Sequence, residues 1–203
     1  MSGRFIVIDG PNGVGKTTVT ASLAEHLRRR GSAVHVTREP SSTALGELVR
    51  SAESYLFGRA LALAVAADRY AHLEQEIMPA LRAGEDVISD RYVQSSLVLQ
   101  RLDGLSLAEI WSYNVHVLIP ELSVYLEDDS AVITARLRER PVLSRLENEG
   151  SPARELALYQ DAYQFLDRQG WPQVIVDCHG VDAAGVADKI AVHLTKIRGR
   201  RRA

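Results

Sequence analysis

The chain has 203 residues, of which 46% are hydrophobic and 25% charged, and its formal net charge is −2. This composition is typical of a globular protein and excludes a disordered or membrane-embedded chain, while the length favours one domain over residues 1–203. The small net charge excludes a strong general attraction to nucleic acid, so we expect no nucleic-acid partner.

Five short apolar, β-branched runs alternate with stretches of helical periodicity. In chain order the runs are "FIVID" (5–9), "AVHVT" (33–37), "DVISD" (86–90), "LSVYLE" (122–127) and "QVIVDC" (173–178). In the first helix Val19, Leu23 and Leu27 recur every four residues, and Gly31 is the expected stop. Strands joined by such helices form parallel sheets, so the sequence predicts an α/β fold with helices on both faces of a five-stranded parallel sheet.

The cysteine content and the chain ends bear on location. Cys178 is the only cysteine, which excludes an internal disulfide and suits a reducing compartment. The apolar run near the start is too short for a signal peptide, and no run approaches the roughly 20 residues that span a bilayer. We therefore expect a cytoplasmic protein without a membrane partner. The basic end "KIRGRRRA" (196–203) is interpreted as a solvated helix end, with nucleic-acid binding through Arg200–Arg202 as the alternative.

A glycine-rich loop follows the first predicted strand and opens the first helix. Gly10, Gly13, Gly15, Lys16 and Thr17 match the pattern G-x-x-x-x-G-K-[ST]. Glycines let successive backbone N–H groups surround phosphate oxygens, the lysine reaches the outer phosphates and the threonine hydroxyl binds Mg²⁺. The N-terminus of the helix adds its positive dipole end. The loop predicts a site for a nucleoside triphosphate with Mg²⁺.

Three further segments carry arginines. They are "TREP" (37–40), "SDRYVQSS" (89–96) and "RLRERPVLSRLE" (136–147). The first two follow predicted strands, and ligands of open α/β sheets bind beyond the carboxyl ends of the strands. Arginine binds phosphate through paired charge-assisted hydrogen bonds. A second phosphorylated substrate is therefore expected beside the triphosphate.

In these segments the chain resembles the thymidylate kinases, which phosphorylate dTMP with ATP. The resemblance runs in order through "GPNGVGKTT" (10–18), "REPSST" (38–43), "AADRYAHLEQEIMPALRAGEDVISDRYVQSS" (66–96) and a segment ending "LSRLE" (143–147). It implies a P-loop NTPase kinase fold with an arginine-bearing lid near 137–150, the ATP:dTMP phosphotransferase activity, and a homodimer.

The resemblance also implies roles for individual residues. The residues expected to bind ATP are Gly10, Asn12, Gly13, Val14, Gly15, Lys16, Thr17 and Thr18, and those expected near the metal are Thr17 and Asp90. The residues expected to bind the acceptor nucleotide are Asn12, Arg38, Val65, Arg69, Arg91, Ser95, Ser96 and Gln100. Among these, Arg38 and Arg91 would hold the monophosphate and Arg69 the base. The residues expected to act in catalysis are Lys16, Arg91, Arg138, Arg140 and Arg145.

Each of these assignments has a structural alternative. Arg69 and the lid arginines could be solvated helix residues, Asp90 and Arg91 could form a structural ion pair, and Ser95 and Gln100 could cap or solvate a helix. Gly13 stands where some family members carry an arginine, so the lid is expected to supply the catalytic arginine.

The chain departs from the family pattern at the sugar and base. Asn12 replaces an acid, Val65 stands where a phenylalanine stacks on the thymine, Leu99 replaces an aromatic residue and Ser41–Ser42 replace two glycines. Another pyrimidine nucleotide or nucleoside as acceptor is therefore the first alternative function. A nucleotide-binding regulatory protein without an acceptor is the second.

Overall fold

The computed structural model describes residues 3–200, with the exception of the side chains of residues 149 and 198–200. The strands are β1 (Phe5–Asp9), β2 (Val34–Arg38), β3 (Asp86–Asp90), β4 (Leu122–Glu127) and β5 (Gln173–Asp177). The helices are α1 (Lys16–Arg29), α2 (Ala44–Ala52), α3 (Gly58–His72), α4 (Met78–Arg82), α5 (Val93–Leu102), α6 (Leu107–Ser112), α7 (Ser130–Arg138), α8 (Arg145–Glu149), α9 (Pro152–Arg168) and α10 (Ala183–Arg200). A π-helical turn, Leu73–Ile77, joins α3 to α4.

All five strands form one parallel sheet in the order β2-β3-β1-β4-β5. This confirms the predicted α/β class, although β2 begins and ends one residue later than predicted and β5 ends one residue earlier. Arg38 is the register partner of Asp90, and Asp9 is the partner of Tyr125. Because the strands are parallel, the residues that follow them gather at one edge of the sheet, where ligands of such folds bind.

Two apolar clusters cover the two faces of the sheet. Ile6 and Ile8 of β1 face a cluster that includes Leu23 of α1 and Ile190 of α10. The alternating residues Phe5 and Val7 face the other cluster, which includes Leu97 of α5, Leu166 of α9 and Trp171. Burial on both faces explains why β1 reads as a continuous apolar run.

The predicted lid corresponds to the end of α7, the connection 139–144, α8 and the residue after it. Ser144 caps α8: its hydroxyl accepts from the Glu147 backbone N–H, and the Glu147 carboxylate accepts from the Ser144 backbone N–H. This reciprocal capping box defines where α8 begins.

Cys178 follows β5 and is buried, with 4% of its surface exposed. Burial, reinforced by the nearby carboxylate of Asp128, raises the pKa of its thiol to about 11. Within residues 3–200, no helix combines the length and the apolar character needed to cross a bilayer. Of the basic end, Arg201 and Arg202 lie outside the described residues, as does the side chain of Arg200.

Candidate active site

The loop between β1 and α1 is shaped by glycines in conformations that other residues rarely adopt. Gly13 has φ +85°, and a Cβ atom there would lie 2.9 Å from the Cγ atom of Leu137 and 3.2 Å from the Cγ2 atom of Ile133. Since α7 packs this closely against the loop, the arginine that some family members carry at this position has no room here. Val14 is buried in the core, and its backbone N–H bonds to the Pro11 carbonyl at 3.2 Å.

Lys16 begins α1 and is buried beneath the loop. Its ammonium group donates to the carbonyls of Gly10 at 2.8 Å and Pro11 at 2.9 Å. Burial, together with the positive charge of Arg91, lowers the pKa of Lys16 to about 7. A buried cation with this pKa is stabilised by any anion that enters the loop.

Thr17 and Asp90, the two predicted metal ligands, are in contact. The Thr17 hydroxyl donates to Asp90 Oδ2 at 2.6 Å, whereas Asp90 Oδ1 is buried with no hydrogen-bond partner. Among the described residues there is no cluster of three or more histidines, cysteines or carboxylates that could hold a metal. The Thr17 hydroxyl and the Asp90 carboxylate, whose Oδ1 atom is buried and unpaired, fit Mg²⁺, whose coordination is usually completed by substrate phosphates and water.

Seven of the eight predicted acceptor residues line one pocket of about 210 Å³ beside α5, here termed the α5 pocket. They are Asn12, Val65, Arg69, Arg91, Ser95, Ser96 and Gln100. Leu99 also lines it, as does Leu146 of α8, a residue of the predicted lid. Gln100 Oε1 is buried without a partner, so an acceptor oxygen is available in this wall for a ligand.

The eighth residue, Arg38, lines an adjoining pocket of about 200 Å³, here termed the loop pocket. Thr17, Asp90 and Arg91 line it as well. Arg91 belongs to both pockets, so its guanidinium stands at their boundary. A phosphorylated ligand whose organic part lies in the α5 pocket would therefore place its phosphate against Arg91, with Arg38 beyond it.

Arg91 is the described non-glycine residue with a left-handed backbone, at φ +78°. Its side chain donates to Ser95 Oγ at 3.0 Å and to Asn12 Oδ1. Such a backbone conformation in a non-glycine residue is uncommon, and it occurs where surrounding contacts hold a functional side chain. Asp90 bonds to Thr17, and among the described residues no hydrogen bond or close ion pair joins it to Arg91, so the structure gives no support to the alternative of a structural Asp90–Arg91 ion pair.

Arg69 is fully enclosed, with 1% of its surface exposed, which excludes the alternative of a solvated helix residue. Its guanidinium donates to Glu39 at 2.8 Å, Asn114 at 2.6 Å and Ser96 at 2.9 Å. It also lies 5.4 Å from the centre of the Tyr92 ring. Arg69 thus forms part of the pocket wall in a fixed orientation, with Glu39 as its counter-ion.

Asp9, at the end of β1, organises the start of α5. One carboxylate oxygen accepts from the backbone N–H groups of Tyr92 at 3.1 Å and Ser95 at 3.0 Å, and the other accepts from the hydroxyls of Ser95 and Tyr159, both at 2.7 Å. Burial and the Asp9 carboxylate raise the pKa of Tyr159 well above its usual value, so Tyr159 stays a hydrogen-bond donor. The Ser95 hydroxyl donates to Asp9 and accepts from Arg91, so Ser95 is more than a helix cap.

The serines that replace the family's glycine pair have a structural partner. Ser41 is fully buried, and Asp68 accepts from its backbone N–H at 2.7 Å and from its hydroxyl at 2.5 Å. This carboxylate fixes the segment after the Glu39–Pro40 peptide bond, which is cis. The departure at Ser41 is therefore compensated within the fold.

The three predicted lid arginines have different surroundings. Arg138 is exposed in the last turn of α7. Arg140 pairs with Glu147 at 2.5 Å, and Arg145 pairs with Asp103 at 2.8 Å and stacks 4.4 Å from the Phe57 ring centre. The structure therefore directs Arg140 and Arg145 to acidic partners outside the loop. Arg136, which the sequence did not single out, donates to the Val14 carbonyl at 3.2 Å.

Several buried polar residues of the site were not predicted. Asp9 and Glu39 adjoin the recognised motifs at strand ends, so the rule that ligands bind at that edge could have identified them. Glu155 and Tyr159 are four residues apart on α9 and lie more than 130 residues after the loop. Nothing in their sequence context distinguishes them from the polar face of an amphipathic helix.

A glycine-rich loop after the first strand, a buried lysine beneath it, and an arginine between two adjoining pockets define a P-loop phosphotransferase. The family model of thymidylate kinase matches residues 8–171. The thymidylate kinase of Geobacillus thermodenitrificans is 34% identical, with 100% of this chain and 94% of the relative aligned. Those of Thermomicrobium roseum and Clavibacter sepedonicus are 38% and 35% identical, over 97% and 87% of this chain and 98% and 92% of the relatives. The chain belongs to the thymidylate kinase family.

Proposed function

We propose that the protein transfers the γ-phosphoryl group of ATP to the 5′-phosphate of dTMP, giving dTDP and ADP. Family membership and relatives named thymidylate kinase over nearly their whole length support this activity. The observation that carries it at the site is the arrangement of the two pockets: seven residues expected to bind the acceptor line the α5 pocket, which meets the loop pocket at Arg91.

The charges suit transfer between two anions. An acceptor phosphate between Arg38 and Arg91 would be aligned for attack on the γ-phosphorus, and the bond from that phosphorus to the ADP oxygen would break as the new one forms. Lys16 neutralises negative charge on the donor side. The acceptor phosphate is already ionised near neutral pH, so the site needs no strong general base.

Mg²⁺ bound at Thr17 and Asp90 would neutralise charge on the donor phosphates. The free, buried Asp90 Oδ1 supports this assignment. Arg138 and Arg140 remain the predicted catalytic arginines of the lid, whose closure would exclude water and so suppress hydrolysis of ATP. For Arg145, which the resemblance also implies to be catalytic, the pairing with Asp103 favours a role in holding the lid in place. We further propose a cytoplasmic homodimer, as the resemblance implies.

A panel of acceptors tests the activity. ADP release is measured with dTMP, dUMP, dCMP, UMP and thymidine at equal concentrations with ATP and Mg²⁺. We expect the highest kcat/KM with dTMP. Turnover that is no higher with dTMP than with another acceptor would contradict the proposed specificity, and ATP binding without transfer to any acceptor would favour a regulatory protein.

Arg38→Ala tests the acceptor side separately. Loss of a charge-assisted contact costs about 1.5–3 kcal/mol, which corresponds to a roughly 10- to 150-fold lower kcat/KM for dTMP. The KM for ATP should change little. Arg168→Ala, at an exposed arginine in the last turn of α9, is the matched control and should retain wild-type kinetics.

The second candidate is a kinase of the same fold with another pyrimidine acceptor. Val65 and Leu99 line the α5 pocket where the family carries aromatic residues, so the wall lacks the corresponding rings. An aromatic contact contributes about 0.5–1.5 kcal/mol, which is enough to alter the preference among similar bases. The same acceptor panel separates the two candidates.

A further inference from the structure

Glu155 is a buried carboxylate in the first turn of α9, with 2% of its surface exposed. Its Oε2 atom accepts from the backbone N–H of Asn12 at 2.8 Å, and its Oε1 atom accepts from the Asn12 side-chain amide at 3.2 Å. Both carboxylate oxygens therefore bond to one residue of the loop. Burying a carboxylate is costly unless it is hydrogen-bonded, and the N-terminal position on α9 also favours a negative charge.

This contact determines which way the Asn12 amide faces. An ionised carboxylate only accepts hydrogen bonds, so the NH₂ group of Asn12 must face Glu155. The Asn12 Oδ1 atom then faces the opposite direction, where it accepts from the Nη2 atom of Arg91. Glu155, Asn12 and Arg91 consequently form a chain in which each hydrogen bond fixes the orientation of the next group.

Arg91 is the group at the end of this chain, and it stands at the boundary of the two pockets. Its other described side-chain hydrogen bond goes to Ser95 Oγ at 3.0 Å. Two anchors from different elements, the loop and α5, thus hold one guanidinium. Without the Asn12 anchor, the guanidinium would keep only the Ser95 contact and could rotate about it.

The loop itself contributes no carboxylate between Gly10 and Thr18. Glu155 brings one to Asn12 from a helix 143 residues further along the chain. Helix α9 begins shortly after α8, whose Leu146 lines the α5 pocket. Through Glu155, α9 therefore connects the predicted lid to the loop.

We propose that Glu155 is a positioning residue for the acceptor phosphate: acting through the Asn12 amide, it holds the Arg91 guanidinium in place and supplies the negative charge that the loop lacks. This inference rests on the proposed function in that Arg91 binds the acceptor. Glu155 itself does not line either pocket, so its effect is transmitted and not direct.

An exchange of charges across the pair tests the proposal. In Glu155→Gln, one oxygen remains, and when it accepts from the Asn12 backbone N–H, the shorter of the two wild-type contacts, the new NH₂ group opposes the NH₂ group of Asn12. Asn12 then turns and places a donor against Arg91. We expect KM for dTMP to rise about tenfold and kcat/KM to fall about 10- to 100-fold, while KM for ATP stays within about twofold. Asn12→Asp places two carboxylates in contact and should also lower kcat/KM for dTMP.

The double variant Asn12→Asp with Glu155→Gln restores complementary groups at the side-chain contacts: the carboxylate introduced at position 12 accepts both from the amide introduced at position 155 and from Arg91. We expect its kcat/KM for dTMP to return to within about threefold of wild type. Asp167→Asn, at an exposed carboxylate on the same helix, is the matched control and should leave the kinetics unchanged.

Two results would overturn the proposal. One is an unchanged KM and kcat for dTMP in folded Glu155→Gln, and the other is a double variant no better than the weaker single variant. If Glu155→Gln does not fold, Glu155→Asp replaces it, since the shorter side chain withdraws the carboxylate from Asn12 and should raise KM for dTMP similarly. The kinetics of the wild type test the proposed activity. The ratio of kcat/KM in the variant to kcat/KM in the wild type, measured on whichever monophosphate the wild type phosphorylates, tests the role of Glu155. The proposed function and the role of Glu155 can therefore fail separately.

Discussion

At the scale of single residues, the charge of Lys16 depends on whether an anion is present. The ammonium group is buried among backbone carbonyls with Arg91 nearby, and its pKa of about 7 lies far below the usual value for lysine. At pH 8 most of the nucleotide-free protein therefore carries a neutral Lys16. Phosphates in the loop stabilise the charged form and raise this pKa, so binding must draw a proton from solution.

We predict uptake of close to one proton when ATP binds at pH 8, and much less at pH 6, where Lys16 is already protonated. Phosphate groups ionise near pH 6, so the nucleotide contributes little at the higher pH. Isothermal titration calorimetry in buffers of different ionisation enthalpy gives the number of protons from the slope. Lys16→Met should abolish the dependence on buffer, and a wild-type slope near zero at pH 8 would contradict the prediction.

The residues proposed to handle phosphate could be identified from the sequence, because the glycine-rich loop and the arginines stand at or directly after the ends of strands. The α5 pocket contains seven of the eight residues that the resemblance assigned to the acceptor, most of which lie within helices and would not have been found from strand ends. Glu155 and Tyr159 could not be predicted, since their burial depends on how α9 packs against α5 and α7. Arg69 was identified by resemblance, but its counter-ion Glu39 required the structure.

At the scale of elements, α7 restricts the shape of the loop. Two effects act against a side chain at Gly13: the left-handed backbone, and contact with Leu137 and Ile133. No local pattern in the chain indicates this contact, because it arises between elements more than 100 residues apart. The absence of a loop arginine is thus a consequence of packing.

We predict that Gly13→Ala lowers the free energy of unfolding by about 2–4 kcal/mol, the sum of roughly 1 kcal/mol for the backbone conformation and about 1–3 kcal/mol for overpacking. Gly31→Ala is the matched control, since Gly31 also has positive φ, at +82°, but has no atom within 4 Å of an added Cβ. In urea unfolding, Gly31→Ala should lose only the roughly 1 kcal/mol that the backbone conformation costs. Equal losses in the two variants would show that α7 leaves room at the loop.

Helix α8 is held beside the α5 pocket by a second set of contacts. Arg145 bonds to both oxygens of Asp103, at 2.8 and 3.1 Å, and to the Glu53 carbonyl at 2.9 Å. Asp103 Oδ2 also accepts from the Gly58 backbone N–H at 3.0 Å. These contacts connect the predicted lid to the elements around α3. Loss of the Asp103 carboxylate should therefore weaken acceptor binding, although Asp103 lines neither pocket.

We predict that Asp103→Asn and Arg145→Ala raise KM for dTMP to a similar extent, within about threefold of each other, and lower kcat less than tenfold. A catalytic arginine would instead contribute about 10³–10⁵ in rate. Steady-state kinetics distinguish these cases. Asp161→Asn, which breaks a surface ion pair with Arg101, is the control. A large loss of kcat in Arg145→Ala with an unaffected Asp103→Asn would establish the catalytic role that the resemblance implies.

The continuous helical stretch from α3 through α4 was hard to predict from one helical period. Its apolar pattern shifts through the π-helical turn Leu73–Ile77, which separates α3 from α4. A π-helical turn adds a residue to the repeat, so a search for one constant period does not find it. The strands were predictable to within about a residue. The central strands β1, β3 and β4 are buried on both faces, whereas the partly exposed edge strands β2 and β5 are marked by their β-branched residues.

At the scale of the whole molecule, several large apolar side chains on α2, α3 and their connection remain exposed in the single chain. They are Leu48, Tyr55, Phe57 and Leu63, with exposed fractions from 47% to 64%. Contacting elements that expose apolar surface are typical of protein–protein interfaces. The homodimer that the resemblance implies would bury this surface.

We predict that Leu63→Glu converts the homodimer to a monomer, because the dimer would have to bury an unpaired charge. Sedimentation velocity over a range of protein concentrations measures the change. Val192→Glu is the matched control, since Val192 is similarly exposed, at 55%, but lies on α10. Dissociation by Val192→Glu alone would assign the interface to α10, and a wild-type protein that sediments as a monomer would contradict the homodimer.

The enclosed Cys178 gives the molecule a built-in reporter of its own opening. With the thiol covered and its pKa raised to about 11, the reactive thiolate is scarce in the native state at neutral pH. A disulfide reagent should therefore label Cys178 only when a local or global opening of the structure exposes the end of β5. The labelling rate, compared with that of the unfolded chain, measures the free energy of those openings. Because the chain has a single thiol, every label reports on the same position, directly after β5.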